Sequence, residues 1–241
     1  MDFFHKLLDF MFLNKVDAES FSPHVMFHIG DIPVKSTVTT TWFIMIILAI
    51  FSWLATRNLQ QRPKPGSLQS IAEMFVETIQ GLVEDGMGEG MKKFVPYIGT
   101  LFLYLLFANL LGIIPGRDLL NLYTPTADLN TTFALGFITF INIHFFGIKA
   151  KGILSYLKSY FEPMPFMFPL NVIGTLADPV SISFRLFGNM LGGIVIMGLL
   201  FSVVTVVLPG IASLYFDVFA GLLQAFIFTM LTMTYISVGM E

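Results

Sequence analysis

Three charged residues lie inside or beside long apolar stretches, where charge is costly and chemistry is expected. Arg185 lies inside one stretch, Asp178 precedes it by seven residues, and Asp217 lies in the next stretch along the chain. An arginine within a membrane-spanning helix costs about 2.5–3.5 kcal/mol to insert, and it stays charged because its pKa lies above about 12. Arg185 therefore needs a partner carboxylate, water or a polar cavity. An intramembrane cation of this kind predicts a pathway for an ion or a substrate.

Asp178 and Arg185 also have ordinary interpretations, which the sequence leaves open. Asp178 followed by Pro179 fits a helix N-cap with proline at the first helical position. A helix that starts at Pro179 would place Arg185 only a turn or two inside, so that its guanidinium could extend to lipid headgroups. Asp178 and Arg185 would be about 10 Å apart along a helix axis, which is too far for a direct ion pair without bending.

The residues around Arg185 predict a polar helix face. Ser181 lies four residues before Arg185 and Asn189 four residues after it, so the three share one side of a helix. Gly192 and Gly193 continue that side without side chains, which allows another helix to approach closely.

The last apolar stretch has a second stripe of polar and aromatic residues. At spacings of four, three, four and seven residues, the stripe contains Asp217, Gly221, Gln224, Phe228 and Tyr235. These spacings place all five residues on one face of a regular α-helix. A hairpin whose two polar faces turn the same way would bring Gln224 near the level of Arg185 and Asn189.

Other kinds of chemistry have no pattern in this sequence. His144 is the only histidine in an apolar stretch, and we expect it to be structural rather than a proton relay. The chain has no cysteine, which excludes disulfides and thiolate metal sites, and its histidines lack metal-ligand spacing. A phosphate-binding glycine loop and a Ser-His-Asp set are also missing. We therefore expect no catalytic site, no metal and no cofactor in this chain.

Composition identifies the environment of these residues. Of 241 residues, 55% are hydrophobic and only 12% are charged, against about 25% charged in a typical soluble domain. Together with a mean hydropathy of +0.78, these values predict an integral membrane protein and exclude a disordered or disulfide-rich secreted chain. The net charge of −3 gives no reason to expect nucleic acid. Residues 1–36 show no cleavable signal, which would have a basic start and a short apolar core.

Five apolar segments predict an all-α fold, because a backbone in lipid must satisfy its own hydrogen bonds. We expect one membrane domain over 1–241, with an outer N-terminal segment over 1–36 and spanning helices over 37–56, 95–115, 131–149, 170–208 and 211–239. The apolar run 180–208 is roughly 44 Å long as a helix, against a hydrocarbon core of about 30 Å. The last two helices, separated by Pro209-Gly210, are therefore expected to form a long tilted hairpin.

One further helix is predicted over 67–93 without crossing the membrane. Apolar residues recur every three or four residues from Leu68 to Leu82, and the opposite face is acidic. This pattern is typical of an amphipathic helix at the membrane interface. The acidic face makes attraction to anionic lipid a poor explanation, so the helix either lies at the interface or docks on another subunit.

Basic residues in the connecting segments predict the orientation of the chain. They are concentrated after the first helix, before the second, and between the third and fourth; the other connections carry more acids than bases. The basic residues at these three places are Arg57, Arg62, Lys64, Lys92, Lys93, Lys149, Lys151 and Lys158. Five crossings then place the N-terminus outside and the C-terminus in the cytoplasm.

Four segments of the sequence resemble one known family. Ser183–Gly193, with the sequence SFRLFGNMLGG, resembles the arginine motif of the a subunits of F-type ATP synthases. Gln224–Tyr235 is similar to the last helix of that family, Pro96–Gly116 to its second helix, and Thr124–Thr131 to the loop that follows. These matches occur in the family's order along the chain.

The resemblance implies a non-catalytic stator subunit of the rotary enzyme, multi-pass in the plasma membrane of a bacterium. Its partners would be the c-subunit ring, the b subunits of the peripheral stalk, other ATP synthase subunits and membrane lipid. Two offset half-channels would carry protons or sodium ions to and from the rotor carboxylates, with Arg185 between them as the gating charge. The residues implied in ion translocation are Arg185, Asn189, Asp217 and Gln224, with Gln224 facing the rotor. The candidates for the outer channel or loop are Asp128, Asn130 and Tyr235.

The sequence departs from the family pattern at one position. Many members have a glutamate nine residues after the arginine, where this chain has Ile194. Asp217 lies seven residues before Gln224, where many members have a histidine, a glycine or an acid, and it is a candidate for the missing carboxylate. The alternative function is a secondary transporter whose intramembrane arginine binds an anionic substrate. That alternative would need inverted repeats or broken helices in both halves, and the sequence has neither.

Overall fold

The computed structural model describes residues 25–29, 31–57, 59–61, 64, 66–113, 122–161, 164–203 and 211–241. The predicted turn at Pro209-Gly210 and most of the predicted outer segment 1–36 lie outside these residues. Within the described ranges, five helices are long and apolar enough to cross a membrane. This result confirms the predicted all-α membrane fold.

The helices follow one another along the chain with short turns between several of them. They are α1 (Ser36–Thr56), α2 (Leu68–Met87), α3 (Val95–Leu110), α4 (Leu129–Lys151), α5 (Ile153–Ser159), α6 (Phe168–Val203) and α7 (Ala220–Met240). A π-helical turn, Leu214–Phe219, leads into α7. The predicted amphipathic helix is α2, whereas the short α5 is a helix that the sequence pattern does not predict.

A small β-hairpin precedes α1 and was also not predicted. β1 (Val25–Ile29) pairs antiparallel with β2 (Ile32–Lys35), and the register joins Ile29 to Ile32. An irregularity between Val25 and Phe27 shifts the register. Both strands are too short to give a clear alternating pattern. Because β2 leads directly into α1, the hairpin is tied to the first spanning helix.

Short polar residues and glycines set several helix ends. The Ser67 hydroxyl accepts a hydrogen bond at 3.2 Å from the amide three residues later and begins α2. The Asp128 carboxylate accepts one at 3.0 Å from the amide two residues later and begins α4. These helices end at Gly88 and Gly152, whose φ values of 90° and 82° favour glycine.

α6 is a continuous helix of 36 residues that begins eleven residues before Pro179. The prediction that Asp178 caps a helix starting at Pro179 is therefore wrong. A 3-10 turn, Pro165–Met167, starts the helix instead. Proline within a helix removes the backbone hydrogen bond to the carbonyl four residues earlier, and membrane helices tolerate such prolines. One turn later, the Ser183 hydroxyl donates to the Pro179 carbonyl at 2.7 Å. At about 54 Å, α6 must tilt or project beyond a hydrocarbon core of about 30 Å.

The core that positions the charged residues lies between α3, α6 and α7. Leu105 of α3, Leu186 of α6 and Phe228 of α7 are each fully buried in it. Around this core, α7 packs against α3, α4 and α6. Since the core is apolar, it separates the polar groups at the two ends of the bundle.

Glycines allow two pairs of helices, α4 with α6 and α7 with α3, to approach closely. A Cβ added at Gly136 of α4 would meet the Pro179 carbonyl oxygen at 2.7 Å and the Ser183 hydroxyl of α6. A Cβ at Gly221 of α7 would meet the Cβ of Asn109 of α3 at 3.3 Å. Small residues at helix contacts are the usual means of tight packing in membranes. They bring the polar residues of α3 and α6 within reach of neighbouring helices.

Candidate functional site

α6 places Arg185 on the outer surface of the bundle. Ile182 and Leu186 of this helix are buried in the core, whereas Phe184 and Arg185 are exposed. The exposed residues on this side recur at helical spacing and are Val180, Ser181, Phe184, Arg185 and Gly188. We call this set the Arg185 face. It leaves the side chain of Arg185 exposed at the surface of the bundle.

The Arg185 face does not neutralise its own charge. The two ion pairs of the described residues, Lys35–Asp128 and Lys92–Glu84, do not include Arg185. Val180 and Phe184, which both precede Arg185 in α6, are exposed apolar side chains. A permanent cation within such a surface needs an anionic or polar partner from outside the chain.

α6 and α7 run antiparallel and meet near Asn189. Its Nδ2 donates to the carbonyl of Ala220 at 3.4 Å. The antiparallel register therefore puts Gln224, four residues after Ala220, level with Arg185, four residues before Asn189. The predicted level of Gln224 is confirmed by this contact.

The predicted direction of Gln224, toward a rotor on the outer surface, is wrong. Gln224 is only 4% exposed, and Gly221 and Phe228 of the same stripe are also buried. The stripe therefore faces the inside of the bundle, whereas Arg185 faces outward. The Gln224 Nε2 has no hydrogen-bond partner among the described residues. Because an unpaired buried polar group costs about 1–3 kcal/mol, this amide needs water or another polar group beside it.

Asp217 lies within the π-helical turn that leads into α7. The prediction that it shares a face with Gln224 assumed regular α-helical spacing, but Leu214–Phe219 form hydrogen bonds one residue longer. Asp217 is half-buried and interacts with other groups of the chain. π-helical turns are frequent at functional sites, and neither composition nor periodicity signalled this one.

Asp128 forms a buried polar cluster with the first spanning helix. The carboxylate is 7% exposed, and the Thr37 hydroxyl of α1 donates to its Oδ2 at 3.1 Å. The Asn130 Nδ2 donates to Oδ1 at 3.0 Å, and the Lys35 Nζ lies 4.0 Å from Oδ2. The predicted loop residues Asp128 and Asn130 are thus brought together, and they join β2, α1 and the start of α4.

A chain of buried hydrogen bonds continues from this end of the bundle to α7. The Thr126 hydroxyl donates to Asn109 Oδ1 at 2.8 Å, and Asn109 Nδ2 donates to the Gly221 carbonyl at 2.9 Å. Thr126 is 0% and Asn109 is 2% exposed. Gly221 lies one turn from Gln224 on the buried stripe. We call Thr126, Asn109 and Gly221 the polar chain.

A cavity of about 470 Å³ lies between α4, α5, α6 and α7. Its polar lining includes Lys151 of α4, Ser159 of α5, Asn171 and Asp178 of α6, and Tyr235 of α7. The Tyr235 hydroxyl faces the Asp178 carboxylate, and the charge of Arg185 also acts on it. We call this space the Asp178 cavity.

Tyr235 does not lie with the predicted outer residues Asp128 and Asn130. It is fourteen residues beyond Gly221 on α7, which is about 21 Å along the helix axis, and Gly221 is where the polar chain ends. The prediction of Tyr235 in the same outer channel is therefore wrong. The sequence pattern singles out Asp178 as a charge beside an apolar stretch but does not place it among the ion-translocation residues, because the Asp178-Pro179 pair fits a helix cap.

His144 is held by hydrogen bonds, as its structural interpretation predicts. Its Nδ1 lies 2.8 Å from the Phe140 carbonyl oxygen, and its Nε2 lies 3.4 Å from the Tyr160 hydroxyl. The Tyr160 hydroxyl in turn lies 3.2 Å from that of Tyr156. Burial raises the pKa of Tyr156, and the neighbouring Tyr160 raises it further, so Tyr156 stays protonated. These contacts hold α5 against α4.

Comparison with known proteins shows the family of this chain. The sequence profile of the family described as ATP synthase A chain matches residues 38–237. The chain belongs to this family. It is a membrane subunit of ATP synthase, so the alternative of a secondary transporter has no support.

Individual relatives cover most of the chain. The ATP synthase subunit a of Moorella thermoacetica is 43% identical over 215 residues, which are 89% of this chain and 95% of the relative. A relative from Propionigenium modestum, named ATP synthase subunit a, sodium ion specific, is 43% identical over 219 residues, 85% of this chain and 73% of the relative. The subunit a of Legionella pneumophila strain Philadelphia 1 is 35% identical over 223 residues, 92% of this chain and 94% of the relative.

Proposed function

We propose that this chain is the stator subunit that passes protons or sodium ions to and from a ring of c subunits, with Arg185 as the gating charge. It would work as a multi-pass protein in the plasma membrane of a bacterium, beside the b subunits of the peripheral stalk, other ATP synthase subunits and lipid. The observation that carries the proposal is the exposure of Arg185 on an apolar surface without an ion-pair partner among the described residues.

The outward cation suits a rotor carboxylate that passes in front of it. An adjacent positive charge favours the ionised form of a carboxyl group, so a loaded rotor site releases its ion when it reaches Arg185. The same charge repels cations, and repulsion is strong in a medium of low dielectric constant. Arg185 therefore promotes unloading of the rotor and opposes direct leakage past it.

Two polar regions approach Arg185 from opposite ends of the bundle, which supports two half-channels. The polar chain leads toward Gln224 from the Asp128 end, and the Asp178 cavity reaches toward Arg185 from the other. The buried side chains of Leu105 and Phe228 fill the interior between them. Ions would then cross the membrane only while bound to the rotor carboxylates, which move between the two polar regions.

Asp217 is proposed to supply the carboxylate of the outer half-channel. It belongs to the same α7 end as Gly221, where the polar chain arrives. The position nine residues after Arg185, where many family members have a glutamate, is Ile194 here. Asp217 would receive ions from the outside and pass them on toward the rotor.

The orientation proposed for the chain has the C-terminus in the cytoplasm and the N-terminus outside. Lys149, Lys151 and Lys158 lie at the cavity end of the bundle, and basic residues favour the cytoplasmic side. The Asp128 cluster and the β-hairpin lie at the other end, outside. The Asp178 cavity would then be the cytoplasmic half-channel.

Substitution of Arg185 in the complete ATP synthase tests the proposal. In reconstituted vesicles, Arg185→Ala should lower ATP-driven ion pumping by about 100-fold or more, because it removes the charge that acts on the rotor carboxylate. The Arg185→Lys variant should also lose most of its ATP-driven ion pumping, since a lysine lacks the planar fork and loses its proton readily when buried.

Arg57→Ala is the matched control, because Arg57 is an exposed arginine beyond the end of α1 that lies over the Trp53 ring. It should pump normally. An assembled Arg185→Ala complex that pumps at the wild-type rate would overturn the gating role.

A further inference from the structure

The Asp178 cavity runs along one face of α6 toward Arg185. The α6 residues that line it recur at helical spacing and are Leu170, Asn171, Gly174, Thr175 and Asp178. From Leu170 to Asp178 this face is about 12 Å long, and Arg185 follows about 10 Å further along the same helix. Asp178 is the α6 residue of the cavity that comes nearest to Arg185 in the sequence. The cavity thus has a carboxylate at the end that leads to the gating charge.

A structural role does not account for this carboxylate. Asp178 lies ten residues inside α6, so it cannot cap the helix. It is not part of either ion pair of the described residues. A carboxylate within a spanning helix is costly and usually lies in an ion or proton pathway. The neighbour of Asp178 across the cavity is the Tyr235 hydroxyl, which also interacts electrostatically with Arg185.

We propose that Asp178 is the carboxylate that accepts the translocated cation after the rotor site has released it beside Arg185, and that Tyr235 is a positioning residue for that carboxylate. This inference rests on the proposed function. For a proton, the rotor carboxylic acid becomes a carboxylate, Asp178 becomes a carboxylic acid, and Asp178 then gives the proton to water in the cavity. For sodium, the Asp178 carboxylate is an anionic oxygen ligand on the same path. Charge is balanced in both cases.

The need for an anion here follows from the repulsion by Arg185. A cation released at Arg185 is driven away from the guanidinium, and an anionic side chain two helix turns away gives it a favourable next position. The other titratable or charged groups that face the cavity region from the elements around it are Lys151 of α4, Tyr156 and Tyr160 of α5, Arg185 of α6, and Tyr235 of α7. Among the residues that the structure describes, none of these groups is a carboxylate. Asp178 is thus the acceptor that this set of residues provides.

The test uses the complete ATP synthase in vesicles, with ATP-driven pumping and passive flux measured over a pH series without sodium and over a sodium series at fixed pH. Asp178→Asn keeps the shape and removes the charge. Because a positioned proton-transfer group accelerates transfer by about 10²–10⁴-fold, this variant should lower flux by about tenfold or more. Asp178→Glu should restore most of it. Asp85→Asn, at an exposed position on α2, is the matched control and should leave flux unchanged.

The pH and sodium series separate an ion acceptor from a residue that merely supports the fold. Asp178→Asn should change the pH dependence if protons are carried and the sodium dependence if sodium is carried. Tyr235→Phe should shift the midpoint of the same dependence with a smaller loss of flux. If Asp178→Asn lowers ion flux by the same factor throughout, so that the pH dependence and the sodium dependence are both unchanged, the proposal is overturned.

Labelling gives a second measurement that does not need an active variant. Since the chain has no cysteine, Thr175→Cys in the cavity can be compared with the same complex without it. A charged, membrane-impermeant thiol reagent should react with Thr175→Cys from the cytoplasmic side only. If Thr175→Cys does not react with the reagent from either side of the membrane, the hypothesis that the cavity is an aqueous path is overturned.

Parallel measurement of Arg185→Ala distinguishes the two hypotheses. If Arg185→Ala abolishes pumping while Asp178→Asn pumps like the wild type, the proposed function stands and the role of Asp178 is refuted. If Arg185→Ala pumps normally, the proposed function itself fails. If Arg185→Ala and Asp178→Asn both lose pumping and Asp178→Glu recovers it, the result supports both the proposed function and the role of Asp178.

Discussion

The polar chain should stabilise the packing of α3 on α7, and a double-mutant cycle on Asn109 and Thr126 measures this effect. Asn109→Ala removes the acceptor for the Thr126 hydroxyl and the donor to the Gly221 carbonyl, at 2.8 and 2.9 Å. Thr126→Val removes only the hydroxyl. Both side chains are buried, so water does not freely replace the lost partners.

The magnitude follows from the burial and number of these hydrogen bonds. A net contribution of about 0.5–1.5 kcal/mol per bond, plus the cost of unpaired buried groups, gives a loss of about 1–3 kcal/mol for Asn109→Ala. The coupling energy between Asn109 and Thr126 should lie near 0.6 kcal/mol and at most near 1.7 kcal/mol, as for other hydrogen bonds between membrane helices. For a chain of this size, 1 kcal/mol shifts the unfolding midpoint by about 2–4 °C.

Thermal unfolding of this subunit within the detergent-solubilised complex is the assay. A fluorophore on a single cysteine at the exposed Leu154 reports on this chain alone, because the native sequence has no cysteine. Thr78→Val is the control, since its exposed hydroxyl bonds within α2, and it should stay within about 0.5 kcal/mol of the wild type. If the effects of Asn109→Ala and Thr126→Val simply add, the hydrogen bond between them contributes nothing and the reasoning is refuted.

Two predictions concern the outer half-channel and the orientation. Asp217→Asn should slow ion flux and shift its pH or sodium dependence with assembly intact, because the variant keeps the shape of the side chain but loses its anionic oxygen. If flux and ATP synthesis are unchanged over a broad pH range, Asp217 is an ordinary hydrated residue. A tag after Glu241 should be reachable only from the cytoplasm and a tag near Asp17 only from outside, and detection of both on one side would contradict five crossings.

The sequence by itself determined the membrane class, the five spanning helices and the family. Long apolar segments must become helices because lipid offers the backbone no hydrogen bonds, and this constraint does not depend on tertiary contacts. The family was identified because the motif around Arg185 resembles that of known members, whereas the cost of a permanent charge in an apolar helix indicated only an ion or substrate pathway. Counting residues from the turn at Pro209-Gly210 matched Gln224 only loosely to Arg185, with 14 residues on one side and 24 on the other; the Asn189–Ala220 contact fixes their common level.

Only the tertiary structure decided which way the side chains face. Gln224 is buried and Arg185 is exposed, because packing of α7 against α3 and α4 fixes the rotation of the helix, which periodicity alone leaves free. The π-helical turn moved Asp217 out of the regular stripe. α6 continues through Pro179, as membrane helices tolerate, and this places Asp178, a predicted cap, among the residues of the cavity. A sequence pattern specifies the order of residues along a helix, whereas contacts with neighbouring helices decide which residues meet.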